Sequence, residues 1–179
     1  MRSSSGSLRF SSTDKARATT APATDSCQYR ITTPSLSGAR NAGRVAGWRV
    51  AAAVFALDLA KGALAVAIGR LAGLDEGWLS VSLVAVVAGH VLPVQLRFRG
   101  GRGLSTALGA MLVLNPAAAL IGLVTAVVVA LGARQVTVAG LAGMTAAPAA
   151  ALLLGVRGYE LAGLTATTVL VLAAHARRT

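Results

Sequence analysis

The feature that most constrains the fold is a series of apolar segments that occupies the chain from residue 50 onward. Only 13 of these 130 residues are Asp, Glu, Lys or Arg, whereas soluble globular domains carry charge at about a quarter of their positions. The segments run approximately from Val50 to Ile68, Trp78 to Leu96, Leu104 to Ala133, Val136 to Gly155 and Tyr159 to Ala174. Because a helix needs roughly 20 apolar residues to cross the hydrocarbon core, we predict an all-α, multi-pass integral membrane bundle of about six transmembrane helices.

The third apolar segment is too long for a single membrane helix. A continuous helix from Leu104 to Ala133 would be about 45 Å long, which exceeds the hydrocarbon thickness. Asn115 precedes Pro116 near its middle, and a residue before proline is pushed out of the helical conformation. We therefore predict a short helix from Leu104 to Leu114 and a second from Pro116 to Ala133. A single kinked helix is the alternative.

This division places most basic residues on one side of the membrane. An excess of arginine on one face marks the cytoplasmic side. The predicted cytoplasmic residues are Arg40, Arg44, Arg49, Arg97, Arg99, Arg102, Arg134, Arg177 and Arg178. The opposite face would receive Arg70, Asp75, Glu76, Arg157 and Glu160.

The net charge of +11 indicates an anionic partner. After position 50 the basic residues interrupt apolar runs and form no continuous exposed face, which argues against nucleic acid. Lipid headgroups or phosphorylated small molecules fit this pattern better. Cys27 is the only cysteine and the chain has two histidines, so no internal disulfide can form and no metal or cofactor is expected.

Residues 1–37 have a different composition from the rest of the chain. They are rich in Ser, Thr and Ala and lack a long apolar run, so they do not resemble a secretory signal peptide. We expect a disordered polar and basic tail, followed by a membrane domain at residues 38–179. An organelle transit peptide and a misassigned start of the reading frame are the alternatives.

The sequence FRGGRG, from Phe98 to Gly103, has the composition of an anion-binding loop. Its three glycines permit positive φ and expose backbone N–H groups, and the helix that follows adds the partial positive charge of its N-terminus. Its two arginines supply forked donors that match phosphate or carboxylate oxygens. The loop therefore predicts phosphate binding at the membrane surface; a tight turn on the positive side of the membrane is the alternative.

Three ionisable residues lie in the apolar segments near this loop. His90, in GHVLP, can act as a general base or can orient the loop through hydrogen bonds. Asp58 and Lys61, in ALDLAKGA, stand at positions i and i+3 on one helical face. Because charges inside a bilayer are costly, we expect these two residues to pair with each other or with a buried ligand.

Two further polar motifs lie on the same predicted face. GARNAGR brings Arg40, Asn41 and Arg44 directly before the first apolar segment, either as a second anion-binding turn or as a juxtamembrane basic patch. AAHARRT places His175 near the C-terminus, where by itself it indicates only a basic anchor. The sequence contains no Gly-x-Ser-x-Gly nucleophile motif, no His-Glu-x-x-His motif and no Walker-type phosphate loop.

The order and spacing of these motifs resemble those of the bacterial acyl-phosphate:glycerol-3-phosphate acyltransferases, the PlsY family of small multi-pass membrane enzymes. GHVLPVQLRFRGGRGLSTALG is similar to the central signature of that family, with Arg99 and Arg102 where lysines are usual. GARNAGRVAGWR together with LDLAKG is similar to the second half of its first signature, with Arg40 in place of threonine. His175 stands where the third signature begins, so the resemblance extends from about Gly38 to the C-terminus.

The resemblance is incomplete in two of the three signatures. Family members usually begin with a transmembrane helix and a Gly-Ser-Gly-Asn turn, where this chain has TPSLSGARN. The third signature continues with Asn-Ile and a later acidic residue, whereas Arg178 occupies the asparagine position here and Thr179 follows it. A truncated, non-catalytic relative is therefore one alternative. A small transporter or packing subunit is another, although the sequence has no internal repeat of the kind that marks secondary transporters.

The resemblance implies a membrane enzyme of phospholipid biosynthesis. Such an enzyme transfers a fatty acyl group from acyl-phosphate to the sn-1 hydroxyl of glycerol 3-phosphate, giving lysophosphatidic acid, in the bacterial plasma membrane and without a metal or cofactor. No covalent acyl-enzyme is needed, because acyl-phosphate is already activated. The implied catalytic residues are Asn41, Asp58 and His90. The implied phosphate-binding residues are Arg40, Lys61, Arg99, Gly100, Gly101, Arg102, Gly103 and His175.

Overall fold

The computed structural model describes residues 42–43, 46–94, 98 and 100–177. Six α-helices are bounded within this part of the chain, and none of its residues is in a β-strand. They are α1 (Trp48–Leu71), α2 (Glu76–Val91), α3 (Leu104–Leu114), α4 (Pro116–Ala133), α5 (Val136–Leu153) and α6 (Gly158–Ala176). The predicted all-α fold is confirmed, while the predicted tail at residues 1–37 lies outside the described residues.

Four of the helices are long and apolar enough to cross a membrane, namely α1, α4, α5 and α6. The other two are shorter, with 16 residues in α2 and 11 in α3. At 1.5 Å per residue, α3 is about 16 Å long, which is too short to cross the ~30 Å hydrocarbon core. The expected membrane bundle is therefore present, with α3 as a short helix within it, but the predicted number of about six spans is not confirmed, because four of the described helices have the length of a span.

The predicted division of the third apolar segment is confirmed at Asn115. This residue has φ −139° and ψ 89°, outside the helical region, and its Oδ1 accepts a hydrogen bond from the Ala118 N–H at 2.9 Å. Pro116 then begins α4, at a position where a backbone N–H would have no helical partner. The Asn115 side chain therefore caps the new helix and stabilises the break in the chain.

α1 and α3 pack with their backbones in direct contact. A Cβ atom added to Gly62 would fall on the carbonyl group of Thr106, and one added to Gly109 would fall on the carbonyl group of Leu59. Small residues allow membrane helices to approach closely, because dispersion contacts between backbones replace contacts with lipid. These two glycines therefore allow the middle of α1 to pack directly against α3.

The core lies mainly between α2, α3, α5 and α6, with smaller contributions from α1 and α4, and the outer faces of the bundle are apolar. Leu57, Leu64 and Leu131 are more than half exposed, as expected for side chains that contact lipid. The largest fully buried side chains are Val66, Leu83, Val87, Thr106, Met111, Leu164, Thr167 and Val171.

Polar contacts gather at one end of the bundle, where α3 ends and α6 begins. The Arg70 guanidinium donates to the Leu114 carbonyl oxygen at 3.1 Å, and the Asn115 side-chain amide donates to Glu160 Oε1 at 2.8 Å. His90, Gly103 and the C-terminal turn of α6 lie at the opposite end. Arg70 and Glu160 therefore share one end of the bundle, as the charge pattern predicted.

Candidate functional site

His90 lies in the last turn of α2 and faces α1. Its Nδ1 atom is 3.3 Å from Asp58 Oδ1 and 3.2 Å from Lys61 Nζ. The side chains of His90 and Asp58 are 11% and 17% exposed, so this contact is largely screened from solvent. The spacing of Asp58 and Lys61 places both on the face of α1 that meets α2, and each contacts the same histidine nitrogen.

A single imidazole nitrogen cannot serve both α1 side chains in one protonation state. When Nδ1 carries a hydrogen it donates to Asp58, and when it does not it can accept a hydrogen bond from Lys61. The position of the ring proton therefore decides which of the two side chains His90 holds. The protonation of His90 Nδ1 is thus linked to the position of the Lys61 ammonium group, an arrangement that suits proton transfer or ligand orientation.

Ser105, the second residue of α3, belongs to the same cluster and was missed by the sequence analysis. Its Oγ donates to Asp58 Oδ2 at 3.4 Å, so each carboxylate oxygen of Asp58 has a neighbour. In a nucleophilic triad the histidine lies between the serine and the carboxylate, whereas here the carboxylate lies between the other two. We call Asp58, Lys61, His90 and Ser105 the polar cluster.

Gly100 and Gly101 allow the loop to pass directly against His90. A Cβ on Gly101 would fall on His90 Nε2, and one on Gly100 would fall on the His90 carbonyl oxygen and the ring of Pro93. Their N–H groups donate to the carbonyl oxygens of Val91 at 3.3 Å and His90 at 3.0 Å. The expectation that these two glycines expose their N–H groups to an anion is therefore wrong, because those groups bond to the end of α2.

The part of the loop that suits an anion begins at Arg102. Gly103 adopts the left-handed conformation with φ 81°, and no side chain caps α3 among the described residues. The first N–H groups of a helix lack intrahelical acceptors and carry partial positive charge. Half-buried Arg102 directly precedes this helix start, so a guanidinium and open backbone donors lie at the same end of α3.

His175 lies at the same end of the bundle, on α6. It is 5% exposed, and its Nδ1–H donates to the Val171 carbonyl oxygen at 2.9 Å. Val171 faces Gly103 of the loop, since a Cβ on Gly103 would lie 3.4 Å from Val171 Cγ2. His175 follows Val171 by one helical turn of α6. Three other predicted site residues, Arg40, Asn41 and Arg99, lie outside the described residues.

An apolar groove of about 300 Å³ adjoins the polar cluster. It is bounded by α3, α4 and α5, with Phe55 of α1 at one side, and Ser105 is one of its lining residues. Ala126 lies on its α4 wall, and Ala119 and Ala147 line the part nearest the break between α3 and α4. We call this cavity the apolar groove. Within the described part of the chain, no group of three or more His, Cys, Asp or Glu could hold a metal ion.

The sequence matches that of a known protein family. The family model described as "Glycerol-3-phosphate acyltransferase" matches residues 32–179. A glycerol-3-phosphate acyltransferase of Thermoanaerobacter sp. (strain X514) is 40% identical over 107 residues, which cover 60% of this chain and 54% of that protein. Glycerol-3-phosphate acyltransferase 1 of Desulfitobacterium hafniense (strain Y51) is 38% identical over 141 residues, covering 79% and 70%. The chain spans about half the length of the first curated relatives that it matches.

The fold is similar to that of crystal structures of PlsY (YgiH), an integral membrane glycerol 3-phosphate acyltransferase. The glycerol 3-phosphate form superimposes with a TM-score of 0.73 at 29% identity, covering 78% of this chain and 70% of that one. The lysophosphatidic acid form has the same TM-score at 25% identity, covering 85% and 89%. Sequence and fold therefore point to the same family.

Proposed function

The chain belongs to the glycerol-3-phosphate acyltransferase family, and on that premise we propose that it transfers a fatty acyl group from acyl-phosphate to the sn-1 hydroxyl of glycerol 3-phosphate, giving lysophosphatidic acid. The observation that carries this proposal is the adjacency of the polar cluster and the apolar groove. Ser105 belongs to both, since it bonds to Asp58 and lines the groove. An enzyme that joins a water-soluble phosphate to an apolar chain needs these two environments side by side.

His90 is the group best placed to receive the proton of the attacking hydroxyl. The hydroxyl oxygen forms a bond to the acyl carbonyl carbon, the bond from that carbon to the phosphate oxygen breaks, and inorganic phosphate leaves. With Nδ1–H donated to Asp58, Nε2 is the basic nitrogen of the neutral ring. No covalent acyl-enzyme is required, because acyl-phosphate is already an activated donor.

The cationic groups at this end of the bundle would bind the phosphates of both substrates. Arg102 and the N-terminus of α3 would stabilise the charge that develops on the leaving phosphate, and Gly100 and Gly101 would shape the loop around His90. The remaining roles follow from the family resemblance. Arg99, Lys61 and His175 would also contact phosphate, and Arg40 and Asn41 would position glycerol 3-phosphate.

The apolar groove would hold the fatty acyl chain. Its α4 wall extends from Ala119 to Ala130, a length of about 16 Å at 1.5 Å per residue. The groove is lined by apolar side chains of membrane helices, so an acyl chain would enter it directly from the lipid. The donor carbonyl would then lie near Ser105, at the junction of the groove with the polar cluster.

The enzyme would work in the bacterial plasma membrane with its loops toward the cytoplasm. The arginine excess at the end of the bundle that carries His90 favours this orientation. The polar residues 1–37 would form a tail that precedes the membrane domain. Glycerol 3-phosphate would therefore reach the site from the cytoplasm, and the acyl donor would reach it from the bilayer.

The test is an assay of the full chain in phospholipid nanodiscs with palmitoyl phosphate and radiolabelled glycerol 3-phosphate. We expect labelled lysophosphatidic acid, and we expect Arg102→Ala to lower kcat/KM at least about 100-fold, as loss of a charged transition-state donor does. Arg134→Ala is the matched control, because Arg134 is exposed at the same end of the bundle. Its rate should remain within about twofold of the parent.

Two outcomes would contradict the proposal. Absence of product from the parent chain, with glycerol 3-phosphate still bound, would identify a non-catalytic relative. Equal rates for Arg102→Ala and Arg134→Ala would show that Arg102 does not bind the substrate phosphates.

A further inference from the structure

We propose that Ser105 is a positioning residue, whose hydroxyl holds the Asp58 carboxylate in the orientation that Asp58 needs to hold His90. This inference rests on the proposed function, because it assigns a role within the same site. It is carried by the pair of contacts to one carboxylate. Oδ1 of Asp58 faces His90 Nδ1 at 3.3 Å, and Oδ2 accepts from Ser105 Oγ at 3.4 Å.

A carboxylate that makes a hydrogen bond through only one of its oxygens is poorly fixed in orientation. The terminal torsion of Asp is broad and roughly two-fold, so the group can turn and exchange its two oxygens. Contacts to both oxygens remove this freedom. Ser105 therefore restricts the plane of the Asp58 carboxylate, and that plane decides whether Oδ1 is directed at the His90 ring.

The backbone around Ser105 limits how closely its hydroxyl can approach Asp58. The next residue, Thr106, has its carbonyl group against Gly62, one helical turn beyond Asp58 on α1. On the other side, Gly103 ends the loop in a left-handed conformation two residues before Ser105. The start of α3 therefore cannot move toward α1 without a backbone collision, so a short serine side chain can define the position of the carboxylate.

Two other roles for Ser105 make different predictions. In a nucleophilic triad the serine hydroxyl donates to the histidine, whereas Ser105 donates to a carboxylate whose other oxygen faces the histidine. A hydroxyl that merely solvates a half-buried carboxylate would affect stability without changing the His90 ring. A positioning role requires instead that loss of the hydroxyl changes both the His90 ring and the rate of the chemical step.

The kinetic test compares Ser105→Ala with Ser105→Thr, which retains a hydroxyl. We expect Ser105→Ala to lower kcat about tenfold or more, as loss of a hydrogen bond to a charged group does. KM for both substrates should change less than about twofold, and Ser105→Thr should recover most of the lost rate. Ser82→Ala is the matched control, because Ser82 Oγ donates to the Trp78 carbonyl oxygen of its own helix. A parental kcat for Ser105→Ala, or a change in KM alone, would contradict the proposal.

The second test reads His90 directly and requires no turnover. The chain has two histidines, so ¹⁵N-histidine labelling gives two sets of ring signals, and His175→Gln assigns those of His90. We expect Ser105→Ala to shift the His90 Nδ1 resonance, Ser105→Thr to restore it and Ser82→Ala to leave it in place. An unchanged His90 signal in Ser105→Ala would refute the positioning role. If Ser105→Ala shifts the His90 signal but the parent chain makes no lysophosphatidic acid, the result would support the positioning role and contradict only the proposed function.

Discussion

At the residue scale, the site depends on how closely other groups approach the His90 ring. Nδ1 lies within 3.3 Å of both Asp58 and Lys61, and the backbone of Gly101 packs against Nε2. A side chain at position 101 would occupy the space that the ring now fills. Glycine is thus required at position 101 by contact with His90 and not by backbone conformation, since Phe98 and Gly103 have positive φ whereas Gly101 does not.

Gly101→Ala should therefore displace His90 and lower kcat/KM by about two orders of magnitude, the usual effect of misplacing a catalytic group. Gly132→Ala is the matched control, because a Cβ there would meet nothing within 4 Å. Its activity should remain within about twofold of the parent. The acyl-phosphate assay measures both variants, and parental activity in Gly101→Ala would show that the ring does not need this space.

At the element scale, the contact between α1 and α3 joins Asp58 to Ser105. Gly62 faces the Thr106 carbonyl group and Gly109 faces the Leu59 carbonyl group, so the two backbones meet at two points. Because α3 is too short to cross the bilayer, its position depends on this contact and on its two ends. One end follows the loop at Gly103, and the other is capped at the Asn115 break.

Gly109→Ala should push α1 and α3 apart, because the new Cβ would fall on the Leu59 carbonyl group. We expect a loss of about 1–3 kcal/mol in the free energy of unfolding, which is typical of overpacking. Reversible unfolding in mixed micelles measures this loss, again with Gly132→Ala as the control. Stability equal to that of the control would mean that the backbones can separate without cost.

At the scale of the whole molecule, the bundle places an apolar groove and a cationic end next to one another. α3 and α4 diverge from the Asn115 break, and α5 closes the space between them. Ser105 and Arg102 lie at the end of α3 that faces away from this break. The size of the groove should therefore limit the acyl donors that can react.

Ala126→Leu should narrow the groove, because Ala126 lines it and is half-buried. We expect kcat/KM for palmitoyl phosphate to fall about tenfold or more and that for decanoyl phosphate to fall less, since pockets exclude added methylenes by steric fit. Ala162→Leu, on the exposed face of α6, is the matched control and should retain the parental preference. An equal effect of Ala126→Leu on both donors would exclude the groove as the acyl site.

Much of the fold could be predicted because it follows from local sequence and from partition between lipid and water. The apolar lengths predicted the membrane helices, and Asn115 before Pro116 predicted the division of the third segment. The motif order predicted the family, which the sequence match confirms. The roles of Asp58, His90 and Arg102 stay predictions, whereas the expectation that Gly100 and Gly101 expose their N–H groups was wrong, because those groups bond to the end of α2.

The amino-acid sequence by itself determined which segments are helical and which end of the bundle is cationic, because these properties depend on the affinity of each segment for lipid or water. It also determined the family, because the motifs keep their order and spacing along the chain. Only the tertiary structure decided that His90 Nδ1 lies between Asp58 and Lys61, that Ser105 bonds to Asp58 and that Gly101 makes room for the imidazole ring. Such contacts join segments that are distant in sequence. They depend on the rotation and depth of each helix, which are set by backbone approach at residues such as Gly62 and Gly109 and cannot be read from any one helix alone.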